Sequence, residues 1–276
     1  MLAAGLLAVA LVLARLGLRA RPVVAAAATS VPTATALLWL GAPALVDFAG
    51  FDWRAVGIFA AAGVLFPIGV TLLSFETNRR MGPAMAGALA NTTPVFALGF
   101  AALLLGEHVS ALRGAGALVV IAGVIVLTRP WAFARRDWPL WVIVLPLAAA
   151  CIRGIVQPAV KLGLGLWPDA YAASLVGYSV SSCIILTLRA IRGGSRTRWR
   201  DRGMFMLVGV CNAASVVLMY AALARGSVGL VAPLIASYPL FTLALGAVVL
   251  REERLGAPAL AGVAVTVLGV GLVLAG

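Results

Sequence analysis

The sequence predicts an all-α membrane protein of ten transmembrane helices, arranged as two inverted five-helix repeats. Three observations predict it. Of 276 residues, 63% are hydrophobic and 11% charged, with a mean hydropathy of +1.09, whereas a soluble domain carries charge on about a quarter of its residues. The apolar residues run in continuous stretches of roughly 18–25, the length of a bilayer-crossing helix, not in the alternating ~10-residue strands of a barrel. The chain also matches itself when displaced by 146 residues. In lipid, backbone polar groups are paired internally, which leaves helices or closed barrels. Stretch length and continuity select helices.

The apolar runs, numbered as spans one to ten, lie at roughly 1–18, 22–46, 55–75, 82–106, 111–128, 138–162, 169–189, 203–224, 228–250 and 257–275. The breaks carry Arg, Asp, Pro or Gly, and none holds a soluble domain. The first run, MLAAGLLAVALVLA, is similar to the apolar part of a signal peptide. No basic residue precedes it and arginines follow it, so it is read as span one. Fourteen residues precede Arg15, about 21 Å of helix against a hydrocarbon core of about 30 Å. The expectation is an upstream start or a stunted first helix.

The self-match spans nearly the whole chain without a gap. Leu16-Gly17-Leu18 meets Leu162-Gly163-Leu164, Arg15 meets Lys161, Pro22 meets Pro168, and Trp53-Arg54 meets Trp199-Arg200. Gly57, Phe59 and Gly63 meet Gly203, Phe205 and Gly209; Glu107, Gly116 and Gly123 meet Glu253, Gly262 and Gly269. Only Pro94 and Pro239 are out of step, by one residue. Residues 1–128 form the first repeat and 129–276 the second. Five spans is an odd number, so the second half enters the membrane inverted. That is an architecture of secondary transporters, with the solute site between the halves.

The net charge is +12, and its densest run, RAIRGGSRTRWRDR from Arg189 to Arg202, reads as a short loop facing anionic headgroups rather than a nucleic-acid site. The even-numbered loops carry only Arg54, Arg113, Lys161 and Arg225 of the 21 Lys and Arg; all others except Arg153 fall in odd-numbered loops. Positive-inside logic puts the odd loops in the cytoplasm and both termini outside. Cys151, Cys183 and Cys211 lie in apolar runs and read as small core residues. With one histidine, no paired intramembrane carboxylates and no metal-ligand spacing, no cofactor or metal is expected. A membrane-embedded enzyme is the rival class: Gly226-Ser227-Val228-Gly229 is faintly similar to a serine site, but has no histidine to serve as base. A non-transporting scaffold is the third reading.

The stretch PVFALGFAALLLGEHVSALRGAGALVVIAGVIVL, Pro94 to Leu127, resembles the signature of the EamA branch of the drug/metabolite transporter superfamily. It has a mid-span proline, a Gly-Glu turn and then a glycine-spaced helix. The second copy, Pro239 to Leu274, reads Arg251-Glu252-Glu253 at the turn and lacks the glycine. The resemblance implies ten helices in two inverted bundles around a central cavity. It implies a plasma (inner) membrane carrier, as monomer or homodimer, whose partners are a small-molecule solute and the lipid bilayer. Relatives mostly export amino acids, metabolites or drugs, or carry nucleotide-sugars. The resemblance also implies cytoplasmic termini, against the charge count, which is preferred here because orientation follows this chain's own loops.

Candidate pocket residues lie mid-span. Spans four and nine carry Asn91-Thr92-Thr93-Pro94 and Ser237-Tyr238-Pro239. A proline frees a carbonyl about a turn earlier. Polar clusters at both related positions favour a kinked pocket wall over hydroxyls bonded to their own backbone. Span six holds Arg153, Gly154, Gln157 and Pro158 within two turns. Arg153 either faces a wet cavity, where it favours an anionic or zwitterionic solute, or snorkels to an interface. Its mirror positions in span one are Leu7 and Leu11, opposite Arg153 and Gln157, so the pocket is expected to be basic on one side only. Pro158 is expected to loosen the backbone there. Tyr178, Asn212 and Tyr220 are weaker candidates. Glu107 and Glu253 at helix ends read as capping charges, with Arg113 or Arg254 in reach, over proton or cation sites. His108 in the same turn reads as solvated. Glu76, beside Asn78-Arg79-Arg80, reads as a surface ion pair over a gate.

Overall fold

The structure is a computed structural model that describes residues 1–18, 23–81, 92–108, 110–128, 139–191, 199–245 and 257–276. The first half contributes α1 (Leu2–Leu18), α2 (Val23–Leu45), α3 (Trp53–Leu65), α4 (Ile68–Met81), α5 (Thr93–Leu105) and α6 (Ala111–Thr128). The second contributes α7 (Val144–Leu166), α8 (Ala170–Ile191), α9 (Trp199–Arg225), α10 (Val228–Ala236), α11 (Tyr238–Leu245) and α12 (Ala257–Ala275). Short 3-10 turns sit at Phe48–Gly50 and Leu140–Ile143, and no strand occurs among the described residues. Among the described residues, five helical segments are long and apolar enough to cross a membrane: Val23–Leu45, Trp53–Met81, Leu140–Leu166, Ala170–Ile191 and Arg202–Arg225. Other apolar helices, among them Leu2–Ala14 and Thr93–Leu105, are shorter, so helix length accounts for five crossings among the described residues rather than ten.

Local chemistry sets the helix ends. Asp52 caps α3 by accepting from Arg54 N, and Ser227 caps α10 by accepting from Leu230 N. Gly106 ends α5 at φ +63°, a left-handed cap that glycine adopts without strain. This explains the Gly-Glu turn of the first half. Its second-half counterpart, with Glu253 and Arg254, lies outside the described residues.

Span three differs from the uninterrupted run expected of it. The helix stops at Leu65 and restarts at Ile68, around Phe66-Pro67. Pro67 has no N–H to donate to Gly63 O, so one rung of the ladder is missing there. Ser181 of α8 repairs the break: its Oγ donates to Gly63 O at 2.6 Å and accepts from Ile68 N at 3.2 Å. Span nine is interrupted at Ser237, between α10 and α11, and Ser237 Oγ donates to Leu234 O at 2.7 Å. By contrast, α7 runs unbroken through Pro158, against the loosening expected there.

The halves interleave. The first packs α1 on α9 and α5 on α7, and the counterpart pairs are α3 and α4 on α7, and α1 on α11. The pairs α2–α8, α5–α10 and α6–α12 map onto themselves when the halves are exchanged. Several of the self-matched residues sit at contacts that join the halves. Gly163 lies against the Phe59 ring and Gly17 against the Phe205 ring, the same contact made twice. Both rings are buried. A Cβ on Gly123 would meet Thr266, and one on Gly269 would meet Val120, again a mirrored pair. Without a hydrophobic force between helices in lipid, such close approach supplies the dispersion contact that holds them.

Candidate functional site

The helices leave a central cavity with about 890 Å³ of empty space, part of it open to solvent. Its wall is contributed by both halves: α1, α4 and the Phe66-Pro67 break from the first, and α7, α9, α10 and α11 from the second, with Thr93 at the start of α5. The polar lining is Thr71, Ser74, Thr93, Arg153, Gln157, Asn212, Ser215 and Tyr238; the rest is apolar. A few converging polar groups on an apolar wall are the pattern of a small-molecule site.

Helix geometry positions the polar stripe. Arg153 and Gln157 are four residues apart on α7 and so share a face. Gly154 allows this: a Cβ there would collide with Phe96 and Ala97 of α5, so glycine lets α7 approach that backbone closely. Arg153 is half-buried and, like Tyr238 at the span-nine break, lines the cavity. No carboxylate pairs with Arg153 among the described residues. Gln157 is 3% exposed, and its Oε1 has no hydrogen-bond partner among the described residues. Asn212 approaches from α9.

The other candidates distribute as follows. Asn91 and Glu253 lie outside the described residues. Thr92 precedes α5, and Pro94 is buried in its first turn. Pro239 lies in the first turn of α11. Ser237 is buried and reaches Met1 Sδ at 3.6 Å, off the lining. Tyr178 is in the core at 1% exposure, beside Tyr220, also off the lining. Glu76 forms ion pairs with Arg79 and Arg80, and Arg80 stacks 4.9 Å over the Trp141 ring.

Glu107 has a different partner from the arginines expected in reach. Lys161 Nζ donates to its Oε1 at 2.7 Å and to Gly226 O at 2.8 Å. The backbone N–H of Val228 and of Gly229, at the amino end of α10, donate to the same carboxylate at 3.2 and 3.4 Å. Burial pushes the Glu107 carboxyl up, but the Lys161 ammonium and the two amides outweigh burial and hold it below its ordinary value. Beside this tie, Asp47 N donates to Asp169 at 2.7 Å and Trp167 Nε1 to Asp47 O at 2.9 Å, with the Phe51 ring 5.1 Å from Trp167. These contacts join the halves at the end of α7 beyond Lys161.

Sequence reasoning missed the Phe66-Pro67 wall, the hydroxyls Thr71, Ser74 and Ser215, and Lys161 as a partner of Glu107. One signal was available: Arg15 matching Lys161, together with Glu107 matching Glu253, pairs a base and an acid in each half.

The sequence profile of the EamA-like transporter family matches residues 1–129 and again 140–275. No curated protein matches significantly. A solved crystal structure of a protein shares the fold at TM-score 0.79, covering 98% of this chain and 93% of that one, at 20% identity. At that identity the likeness is one of fold alone.

Proposed function

The chain belongs to the EamA-like transporter family, within the drug/metabolite transporter superfamily, and on that premise we propose that it carries a small acidic or zwitterionic solute through the cavity between its halves. It sits in the plasma (inner) membrane as a multi-pass exporter, with ten crossings and residues 1–128 and 129–276 as inverted halves. Alternating access follows from rocking one half against the other around a fixed midplane site.

The observation that carries this reading is Arg153, half-buried in the cavity wall with no carboxylate paired to it among the described residues. A guanidinium stays charged at any cellular pH. Deep in a bilayer such a charge costs about 3 kcal/mol or more unless it faces a wet cavity. A carboxylate or phosphate pairs with it bidentately. Gln157, one turn on, adds a neutral contact, and the apolar lining accommodates the rest of a metabolite, amino acid or drug-like solute.

The test is flux in proteoliposomes holding the purified protein, across acidic, zwitterionic and cationic solutes. Counterflow of acidic or zwitterionic solutes that is lost in Arg153→Gln is the expected result. Flux of cations alone, or none in a folded protein, overturns the reading.

A further inference from the structure

Arg153, Gln157 and Lys161 stand at four-residue intervals on α7, one helical face running from the cavity lining toward the carboxyl end of the helix. The last of them meets a carboxylate belonging to the other half. We infer that Lys161 and the amino end of α10 form a second anion subsite, occupied by Glu107 as a tethered carboxylate. The solute's acid group exchanges with Glu107 as that end of the cavity opens. The inference rests on the acidic-solute reading above.

The site has three kinds of donor directed at one acid group. Lys161 supplies the charge, and the Val228 and Gly229 amides supply two hydrogen bonds. α10 is nine residues long, and its amino end carries the positive pole of the helix dipole. An ordinary surface ion pair would not recruit backbone amides as well. Lys161 is itself anchored to Gly226 O, so the ammonium is already in place when the carboxylate leaves. Between this subsite and Arg153 stands Gln157, buried, whose side-chain NH2 group is the donor it can offer a carboxylate. A carboxylate leaving Arg153 thus finds a neutral amide one turn on and a second cation another turn beyond. The occupant, Glu107, comes from the turn after α5 in the first half, while Lys161, Val228 and Gly229 belong to the second. Separating the halves at this end therefore pulls the carboxylate out of its site, and a free acid of the same chemistry stabilises the open form by replacing it.

The test is hydrogen–deuterium exchange on the full chain in nanodiscs, read at the peptide covering Val228 and Gly229. Glu107→Ala is expected to speed exchange of these amides about tenfold, the loss of roughly 1.4 kcal/mol of protection. Sodium acetate is expected to restore protection in Glu107→Ala, where sodium chloride at the same ionic strength does not, and to fail in Glu107→Ala/Lys161→Met. The charge swap Glu107→Lys/Lys161→Glu is expected to remain unprotected, because a cation then faces the helix amino end. Should Glu107→Ala not fold, Glu107→Ser leaves the same space and carries the same comparison. Protection unchanged by acetate, matched by chloride, or restored by the swap overturns the subsite. Exchange needs no transport, so these results are separate from a failure of flux, which bears on the carrier reading alone.

Discussion

Span three of the first half stops at Leu65 and restarts at Ile68, while its counterpart, α9, runs for 27 residues without a break. Displaced by 146 residues, Phe66 falls on Asn212. One half therefore offers the cavity a broken backbone and an aromatic ring, and the other an amide on an intact helix. Spans one and six differ in the same way, with Leu7 and Leu11 in α1 against Arg153 and Gln157 in α7, all four on the cavity wall. Some contacts between the halves do repeat: Phe59 on Gly163 returns as Phe205 on Gly17. Duplication supplied a packing scheme that both halves still follow, and divergence is concentrated where a solute would sit. A symmetric cavity would hold two equal sites; this one has polarity.

The largest expected effect breaks that polarity. Arg153→Gln should lower flux of an acidic solute by roughly 10- to 100-fold, the loss of a charged hydrogen bond of about 1.5–3 kcal/mol. Adding Leu7→Arg to it should not restore flux, because α1 lacks the counterpart of Gln157. Recovery in the double variant would mean that the halves are interchangeable at the site.

Next come the contacts common to both halves. A Cβ on Gly209 would overlap the Ser30 carbonyl, so Gly209→Ala should force α9 from α2 and cost about 1–3 kcal/mol. Gly57 and Gly203 are another matched pair, but each faces open space. Alanine there should be neutral or stabilise by up to about 1 kcal/mol through helix propensity. Thermal unfolding in detergent separates the two classes, and equal effects would show that the repeated glycines do not set the packing.

The break in span three gives an effect of similar or smaller size. Ser181→Ala leaves Gly63 O and Ile68 N without their partner, at about 1–3 kcal/mol. The mirror residue, Thr35, serves no break; it donates to Val31 O and Tyr178 O and meets Ser182. Thr35→Val should therefore cost less, in the same unfolding assay.

These elements also mark how far the sequence could be read. Helix content and the repeat were legible because hydrophobic length and rare residues such as Trp, Pro and Gly carry them. Arg153 and Gln157 were legible because a charge deep in an apolar run needs a reason. The span-three break was not, since Phe66-Pro67 sits inside a run whose hydropathy never falls, and the serine that completes it lies on another helix. Glu107 was placed at a helix end correctly, but its partner was not, because Lys161 is 54 residues away and only the packing of α7 against α5 brings them together.

The smallest expected effect concerns that pair and pH. Glu107 is held below its ordinary value, so its contribution is present at neutral pH and is lost only as pH falls through the lowered value. Between neutral pH and the ordinary carboxylate range, the Val228 and Gly229 amides should keep their protection once exchange is corrected for its intrinsic pH dependence. Below that range protection should fall, and in Lys161→Met the fall should begin at higher pH, because burial then raises the carboxyl with no ammonium to oppose it. Also near this end of α10, among the described residues, are Arg113, whose guanidinium lies 3.9 Å from where a Gly229 Cβ would be, and His108, next to Glu107 in the chain. An unchanged profile in Lys161→Met would mean that the two amides alone hold the carboxylate, and the halves would then be tied by a helix cap rather than by an ion pair.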